Sequence, residues 1–378
     1  MNKRIGILTF HASHNCGSMM QAYALQTVLN KNGYDNEIID FQNCGQRDMY
    51  AVIHKKKSFK NLIRNVISIL HYRRIKRQWT DYEGFLSDNF ILSEKKYHIT
   101  SEISKIPEKY RACICGADQI WNITIPDSDD AYFLPFSTTE MRKISYAPSF
   151  GARRIQDYTD NSEKYAEFLK DFDCLSIREK NGQKWIEELV GKKVPVVLDP
   201  TLLIDSCDYE KIREESGISG KYIFYYSPSY SHELDIFVKK ISKKYGLPVV
   251  VWNASEYYLK SEFLNGFKLP KKINPGVYYD LIDKAELVIT TSFHGTIFSS
   301  ICKKKFWILK NGGMYGNDDR VRTLIEQLSL SDRLIEPKFN DSFDYLHDCD
   351  YHDYDINLKT LKKNSMDYLL KSLGGGCE

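Results

Sequence analysis

The stretch Val288-Ile289-Thr290-Thr291-Ser292-Phe293-His294-Gly295-Thr296-Ile297-Phe298-Ser299-Ser300 carries the reading of the whole chain. With Leu287 ahead of it, its opening residues are apolar and β-branched and end in hydroxyls, which predicts a short buried strand over 287–290. Residues 290–295 read as a loop, and Thr296-Ile297-Phe298 as the opening of a helix. A loop between a strand's carboxyl end and a helix N-terminus is where open α/β sheets collect ligands, because free N–H groups and the positive helix end converge there. His294 sits in the middle of this loop, followed by a glycine that lets backbone approach a ligand. A histidine that only caps the helix fits the same residues.

Strand-then-polar-loop units recur on both sides. Residues 4–10 predict a first strand, 19–30 a helix closed by Gly33, and 37–41 a second strand, which is a β-α-β unit. It contains no GxGxxG, so a dinucleotide-binding turn is not expected. Asn15, Gly17 and Gln21 follow the first strand and either face a cleft or form a plain polar turn. Residues 111–116 form another strand, leading into Asp118-Gln119-Ile120-Trp121-Asn122. Asp118 there is a base, an acceptor for sugar hydroxyls, or a helix cap. Residues 174–179 read as a strand carrying Arg178 at its end, where a guanidinium fork suits phosphate or carboxylate and equally an ion pair. After a strand over 194–198, Asp199-Pro200-Thr201 breaks the pattern.

The second half starts over, with strands over 222–226, 248–252 and 306–309 and helices over 233–245 and 278–284. A flexible loop over 311–316 precedes a helix from Asp319, where Arg320 is an anion ligand or a solvated arginine. A helical tail over 357–373 is expected to cross back, and 374–376 to be disordered. The expected organisation is an N-terminal domain (1–205) with a basic helical insertion near 50–100, a C-terminal domain (206–350), and a returning helix with its tail (351–378).

A chain of 378 residues is long for one core and suits two α/β domains. Its 42% hydrophobic and 27% charged content is that of a globular protein, and a net charge of +3 gives no reason to expect a nucleic-acid partner. Met1-Asn2-Lys3-Arg4 leads straight into a strand too short for a signal-peptide core, and no apolar run reaches bilayer length, so a cytoplasmic location is expected. The nine cysteines are scattered without a CxxC pair, which predicts reduced thiols and no metal site.

Between 49 and 80 the composition changes. Lys55, Lys56, Lys57, Lys60, Arg64, Arg73, Arg74, Lys76 and Arg77 occur with no acidic residue among them. Phe59, Leu62, Ile63, Val66, Ile67 and Leu70 recur at helical spacing. This is a helix packed on the domain with its basic side solvated, or a basic amphipathic helix that makes peripheral contact with an anionic membrane through residues 55–77.

Taken together, the loops resemble the polysaccharide pyruvyl transferase family. The resemblance rests on Asn15-Cys16-Gly17 with Gln21-Ala22-Tyr23-Ala24-Leu25-Gln26, on 115–122, on Tyr146-Ala147-Pro148-Ser149-Phe150-Gly151, on Ser176-Ile177-Arg178-Glu179, on Leu198-Asp199-Pro200-Thr201 and on 291–296. It implies an α/β GT-B-like fold, with two Rossmann-like domains facing each other across a cleft. It also implies transfer of the pyruvyl group of phosphoenolpyruvate onto two hydroxyls of a sugar, in a lipid-linked polysaccharide precursor, with no cofactor. His294 would then be the general acid, and Arg178 would bind phosphoenolpyruvate together with Ser292, Gly295, Thr296 and Arg320. Asp118 would serve the acceptor hydroxyls, and Asn15, Gly17, Gln21, Gln119 and Trp121 would form the acceptor side.

The sequence departs from the family at one place. Several members carry an arginine two residues before the histidine, and here that residue is Ser292, which offers one neutral hydrogen bond in place of a charged fork. The competing expectation is a GT-B-type glycosyltransferase using a nucleotide sugar, with Asp283 or Glu286 on the ribose. A non-catalytic sugar- or phosphate-binding protein is the third.

Overall fold

The computed structural model describes residues 3–55, 58–310 and 319–376. Their strands make two parallel sheets. The first has β1 (Arg4–Leu8), β2 (Asn36–Ile38), β3 (Tyr110–Cys115) and β4 (Arg142–Ser145) in the order β2-β1-β3-β4. The second has β5 (Ile223–Tyr226), β6 (Val249–Val251), β7 (Leu287–Thr290), β8 (Phe306–Leu309) and β9 (Leu334–Ile335) in the order β6-β5-β7-β8-β9. Helices cover both faces of such sheets, so their strands are apolar throughout, and β7 and β8 are buried at every residue. The strand predicted over 287–290 is β7, at the centre of its sheet, with Val288 opposite Phe224 and Phe306.

The helix after β7 starts earlier than expected. It spans Phe293–Ile301, and the loop shrinks to Thr291 and Ser292. Ser292 is the cap, since its hydroxyl accepts from the Gly295 N–H at 3.3 Å. His294 therefore lies in the first helical turn.

The strand expected over 174–179 is reduced to single bridges, Ile144 to Cys174 and Ile177 to Val196. Side chains take over the pairing there. The Ser176 N–H donates to the Ser145 hydroxyl at 2.8 Å, the Ser176 hydroxyl donates to the Ser145 carbonyl at 2.8 Å, and the Ser145 hydroxyl donates to the Ser176 carbonyl at 3.0 Å. The strand expected over 194–198 is likewise only a bridge.

One apolar cluster runs through both halves and includes Leu25, Val288, Phe298 and Leu369. The final helix, His352–Gly374, joins it. Its Ser365 hydroxyl accepts from the Leu198 N–H at 2.9 Å, and its Tyr368 hydroxyl donates to the Ser145 carbonyl at 2.9 Å. Residues 374–376, expected to be disordered, are ordered instead. Gly374 ends the helix and Gly375 closes it in a left-handed conformation. The loop expected over 311–316, and Lys56 and Lys57 of the basic run, lie outside the described residues.

The cysteines divide. Cys16, Cys113 and Cys115 are buried thiols and Cys44 and Cys207 exposed ones, but Cys174 is disulfide-bonded, against the expectation that all are reduced.

The basic segment forms two helices, Phe59–Leu70 and Tyr72–Asn89, separated at His71. Ser58 caps the first, its hydroxyl accepting from the Asn61 N–H at 3.1 Å. That helix turns its apolar stripe outwards: Phe59 is 79% exposed, Leu62 61% and Leu70 70%.

Candidate active site

Three segments bring the site together. The Phe293–Ile301 helix supplies His294. The extended segment after β4 supplies Arg178, whose N–H donates to the Pro148 carbonyl at 3.1 Å. The turn after β3 supplies Asp118, in a left-handed conformation with φ 62°. All three side chains are almost entirely buried.

The residue joining them is Asp199. Its carboxylate accepts from the Arg178 guanidinium and stands 3.6 Å from His294 Nε2. Its other oxygen accepts from the Thr201 N–H at 3.0 Å and the Thr201 hydroxyl at 2.6 Å. Burial alone would raise this carboxyl, but the His294 imidazole and the Arg178 charge overcome that and hold it well below the usual range. Asp118 follows the same pattern. Burial opposes its ionisation, while Arg178, His294, a 2.5 Å hydrogen bond from the Ser18 hydroxyl and Arg320 together lower it. Arg178 Nη2 is 3.6 Å from Asp118.

Asp199, which by its sequence context is only a chain breaker, is thus the centre of the cluster. The signal was present, because a polar residue directly after a buried extended run sits at the sheet edge. Glu179 was missed as well. It is fully buried and accepts from the Phe150 N–H at 2.8 Å and the Ser149 hydroxyl at 3.0 Å, and burial pushes its carboxyl up to about 7 against the pull of Arg178 and Arg320.

Arg320 reaches the same place from the Asp319–Gln327 helix of the second half. That helix docks on the first half, where Asp319 accepts from the Asn181 N–H at 2.8 Å. The Phe293 ring meets both guanidiniums, its centroid 4.3 Å from that of Arg178 and 5.8 Å from that of Arg320. With the Gln119 amide turned so that its oxygen faces Arg320, it accepts from Nη1 at 2.7 Å and Nη2 at 3.3 Å.

Several expected roles do not fit. Ser292 spends its acceptor on the cap. The Gly295 and Thr296 N–H groups, expected to hold an anion, donate instead to the Ser292 hydroxyl and the Ser292 carbonyl, a consequence of the earlier helix start. Gln21 is fully buried and holds Thr9, Ser18 and the Ala117 N–H, so it organises the turn after β3 from within. Trp121 is also fully buried, its indole N–H donating to the Tyr132 carbonyl at 3.0 Å, which makes it core and not a sugar platform.

Asn15 caps the Cys16–Lys31 helix by accepting from the Gly17 N–H at 2.9 Å. Gly17 packs on the imidazole so closely that a methyl group there would overlap the His294 ring. The two carboxylates weighed for a nucleotide ribose are engaged elsewhere, Asp283 with Arg213 at 2.9 Å and Glu286 with Lys221 at 3.1 Å.

Two buried groups in the cluster have hydrogen-bonding capacity to spare. Among the described residues, His294 Nε2 and the Nε and Nη2 atoms of Arg178 have no partner within hydrogen-bond distance. Buried donors and acceptors are ordinarily satisfied, and here His294 Nε2 faces Asp199 and Arg178 Nη2 faces Asp118, each at 3.6 Å. Among the described residues no group of three His, Cys, Asp or Glu side chains could hold a metal ion.

The polysaccharide pyruvyl transferase family profile matches residues 15–313. Among solved structures, a UDP-GlcNAc 2-epimerase from Methanocaldococcus jannaschii is similar at TM-score 0.55 and 12% identity, with all of both chains covered. The same enzyme in complex with UDP-GlcNAc and UDP gives 0.51 at 13% identity, again over all of both chains. An α-glucosyltransferase in complex with UDP and a DNA 13-mer gives 0.50 at 11%, covering all of this chain and 96% of that one. At these identities the likeness shows the fold, which is of the GT-B type. No curated protein matches the sequence.

Proposed function

Because the chain belongs to the polysaccharide pyruvyl transferase family, we propose that it transfers the pyruvyl group of phosphoenolpyruvate to two hydroxyls of a sugar, closing a cyclic ketal. The observation that supports this reading is the buried cluster in which Asp199 joins His294 to Arg178, with Asp118 beside them and Arg320 reaching the same place from the second half.

The cluster supplies groups for donor binding and for the first proton transfers. Arg178 and Arg320 hold the phosphate and carboxylate of the donor from opposite sides, Arg320 doing from the second half what an arginine at 292 would have done. His294 gives a proton to the methylene carbon of the enol, and positive charge develops at C2. A sugar hydroxyl attacks C2 and passes its proton to Asp118. The C2–O bond to phosphate breaks, and the second hydroxyl closes the ring. In the balance one acceptor proton ends on the new methyl group and the other on the phosphate released. Asp199 keeps the imidazole and Arg178 in register.

The acceptor in this proposal is a hexose of a lipid-linked polysaccharide precursor, met at the inner surface of a membrane. No helix among the described residues is long and apolar enough to cross a bilayer. The outward apolar stripe of the Phe59–Leu70 helix supports peripheral contact, with Lys55, Lys60 and Arg73 around it for anionic headgroups.

The test is incubation with phosphoenolpyruvate and a panel of lipid-linked hexosides. Phosphate release, with the acceptor gaining the mass of a pyruvate ketal, is the expected result. Turnover of a nucleotide sugar and none of phosphoenolpyruvate would overturn the reading in favour of a glycosyltransferase.

A further inference from the structure

The final helix, His352–Gly374, touches the carriers of three of the cluster's side chains, and the pyruvyl-transfer reading gives it no part. Tyr354, Leu358, Leu361, Ser365, Leu369 and Ser372 recur at three- and four-residue spacing, which is one face of an α-helix, and that face is turned to the protein. Most of the stripe is core. Ser365 in its middle is 2% exposed, and a hydroxyl there costs stability unless it is hydrogen-bonded. An apolar residue would serve packing as well, so what distinguishes Ser365 is the bond it makes.

That bond is to Leu198, the residue before Asp199. Side chains, not a strand ladder, hold both backbone groups of Leu198. Its N–H donates to the Ser365 hydroxyl at 2.9 Å, and its carbonyl accepts from the Tyr146 hydroxyl at 3.0 Å. On the other side of Asp199, the Thr201 carbonyl accepts from the Tyr209 hydroxyl at 2.7 Å. The Asp199 turn is therefore fixed by hydroxyls, and one of them belongs to the helix. Three residues on, the Tyr368 hydroxyl donates to the Ser145 carbonyl at 2.9 Å, the same oxygen that accepts from the Ser176 hydroxyl, two residues before Arg178.

At its other end the helix grips the second half. Tyr351 stands just ahead of its first residue. The Tyr351 hydroxyl donates to the Lys304 carbonyl at 2.7 Å and lies 3.4 Å from the Ser299 carbonyl, at the turn that closes the His294 helix. Asp355 pairs with Lys303 in the same turn. An α-helix has a fixed rise, so Tyr351 and Ser365 stand about 20 Å apart along its axis. One rigid element thus holds the carrier of His294 at one end and the carriers of Asp199 and Arg178 at the other.

We propose that this helix is a ruler that sets the Asp199–His294 contact across the two halves, with Ser365 and Tyr351 as positioning residues that never meet substrate. Its effect on rate rests on the pyruvyl-transfer reading, whereas its hold on Asp199 rests on the hydrogen bonds alone.

The test compares the full-length protein with three variants. Ser365→Ala releases one end of the helix and Tyr351→Phe the other. Lys359→Gly with Lys363→Gly, at exposed positions between them, loosens the helix and leaves every contact above in place, with Lys359→Ala and Lys363→Ala as its control. Phosphate release from phosphoenolpyruvate across a panel of lipid-linked hexosides gives kcat and KM. Urea titration from neutral to acid pH gives stability without any substrate.

Each of the three variants is expected to lower kcat about ten-fold or more, with the KM of phosphoenolpyruvate changed less and the alanine control near wild type. The acid limb of stability supplies the second readout. Against its burial, Asp199 is held low by the His294 imidazole, the Arg178 guanidinium and Thr201, with the Tyr146 and Tyr209 phenols beside it. Stability is therefore lost as pH falls below the ordinary carboxylate range. A carboxylate moved off its partners has less to lose, so the acid slope of the variants should be shallower than that of the wild type. A purely structural loss lowers the curve alike at every pH.

Unchanged kcat in the three variants, or a loss of kcat with an acid slope parallel to the wild type's, would overturn the proposal. Should Ser365→Ala fail to fold, Tyr351→Phe and the glycine pair decide it by the same two readouts. A wild type that turns over no phosphoenolpyruvate sinks the transfer reading instead, and the acid slope then decides alone: a shallower one sustains the helix's hold on Asp199, and a parallel one removes it.

Discussion

The Phe293–Ile301 and Phe59–Leu70 helices begin alike and end up opposite. Each is capped by a serine, Ser292 or Ser58, and each carries phenylalanine at its first position and isoleucine further on. In the first, every residue from Phe293 to Ser300 is buried, including a histidine and three hydroxyls. In the second, only Ser68 is buried, and the apolar stripe faces out. The sequence patterns differ less than these fates, because what a helix buries is decided by what surrounds it. The first lies between two halves that share one core. The second is an insertion whose inner side borders a cavity and whose Phe59, Leu62 and Leu70 are left mostly exposed.

The largest effect should come from the buried helix. His294→Ala is expected to lower turnover by about 10²–10⁴-fold; a variant retaining near-normal phosphate release would remove His294 from the acid role. Next, Ile297→Ala, at a fully buried position, should cost roughly 2–5 kcal/mol, whereas Leu62→Ala should stay within about 0.5 kcal/mol. Denaturant titration of the pair checks this, and equal losses would mean that the outward stripe is packed in solution.

The third prediction concerns pH. Glu179 has its carboxyl raised from 4.5 to about 7, so the folded chain keeps a proton there that the unfolded chain has already released. Stability should therefore fall as pH rises between those values, by roughly 1–3 kcal/mol, and Glu179→Gln should flatten that slope. Asp118 and Asp199 act in the other direction. Held low in the fold, they stabilise it above the ordinary carboxylate range and lose that contribution as pH falls below it. A slope unchanged in the glutamine variant would assign the proton elsewhere.

The smallest effect belongs to the exposed helix. Neutralising Lys55 and Lys60 should weaken co-sedimentation with anionic vesicles by about 1 kcal/mol per charge, with stability unaffected. Binding that ignores both charge and Leu62→Ala would leave the stripe without a lipid role.

What was legible in the sequence was what local rules control. The run Leu287-Val288-Ile289-Thr290 reads as a strand because apolar β-branched residues need burial on both faces, and it is one. The two-half architecture follows from repetition of that unit. The helix start was misplaced because Ser292 was weighed as a ligand and not as a cap. Trp121 and Gln21 looked exposed to chemistry because they follow a strand, but the turn folds them inward. Asp199 escaped because its partners, Arg178 and His294, lie 21 and 95 residues away in sequence and meet only in the fold. The outward face of the Phe59–Leu70 helix could not be separated from a core stripe, since both have the same period.

Gly17 has a further use. Its bare backbone lies on the His294 ring, so the first half touches the proposed proton donor without adding a charge or a bond of its own. An imidazole carbon-bound proton resting against the other half is a natural NMR gauge of docking. Its line width and shift would report, in solution and without any substrate, what fraction of molecules hold the two halves together and how quickly they part.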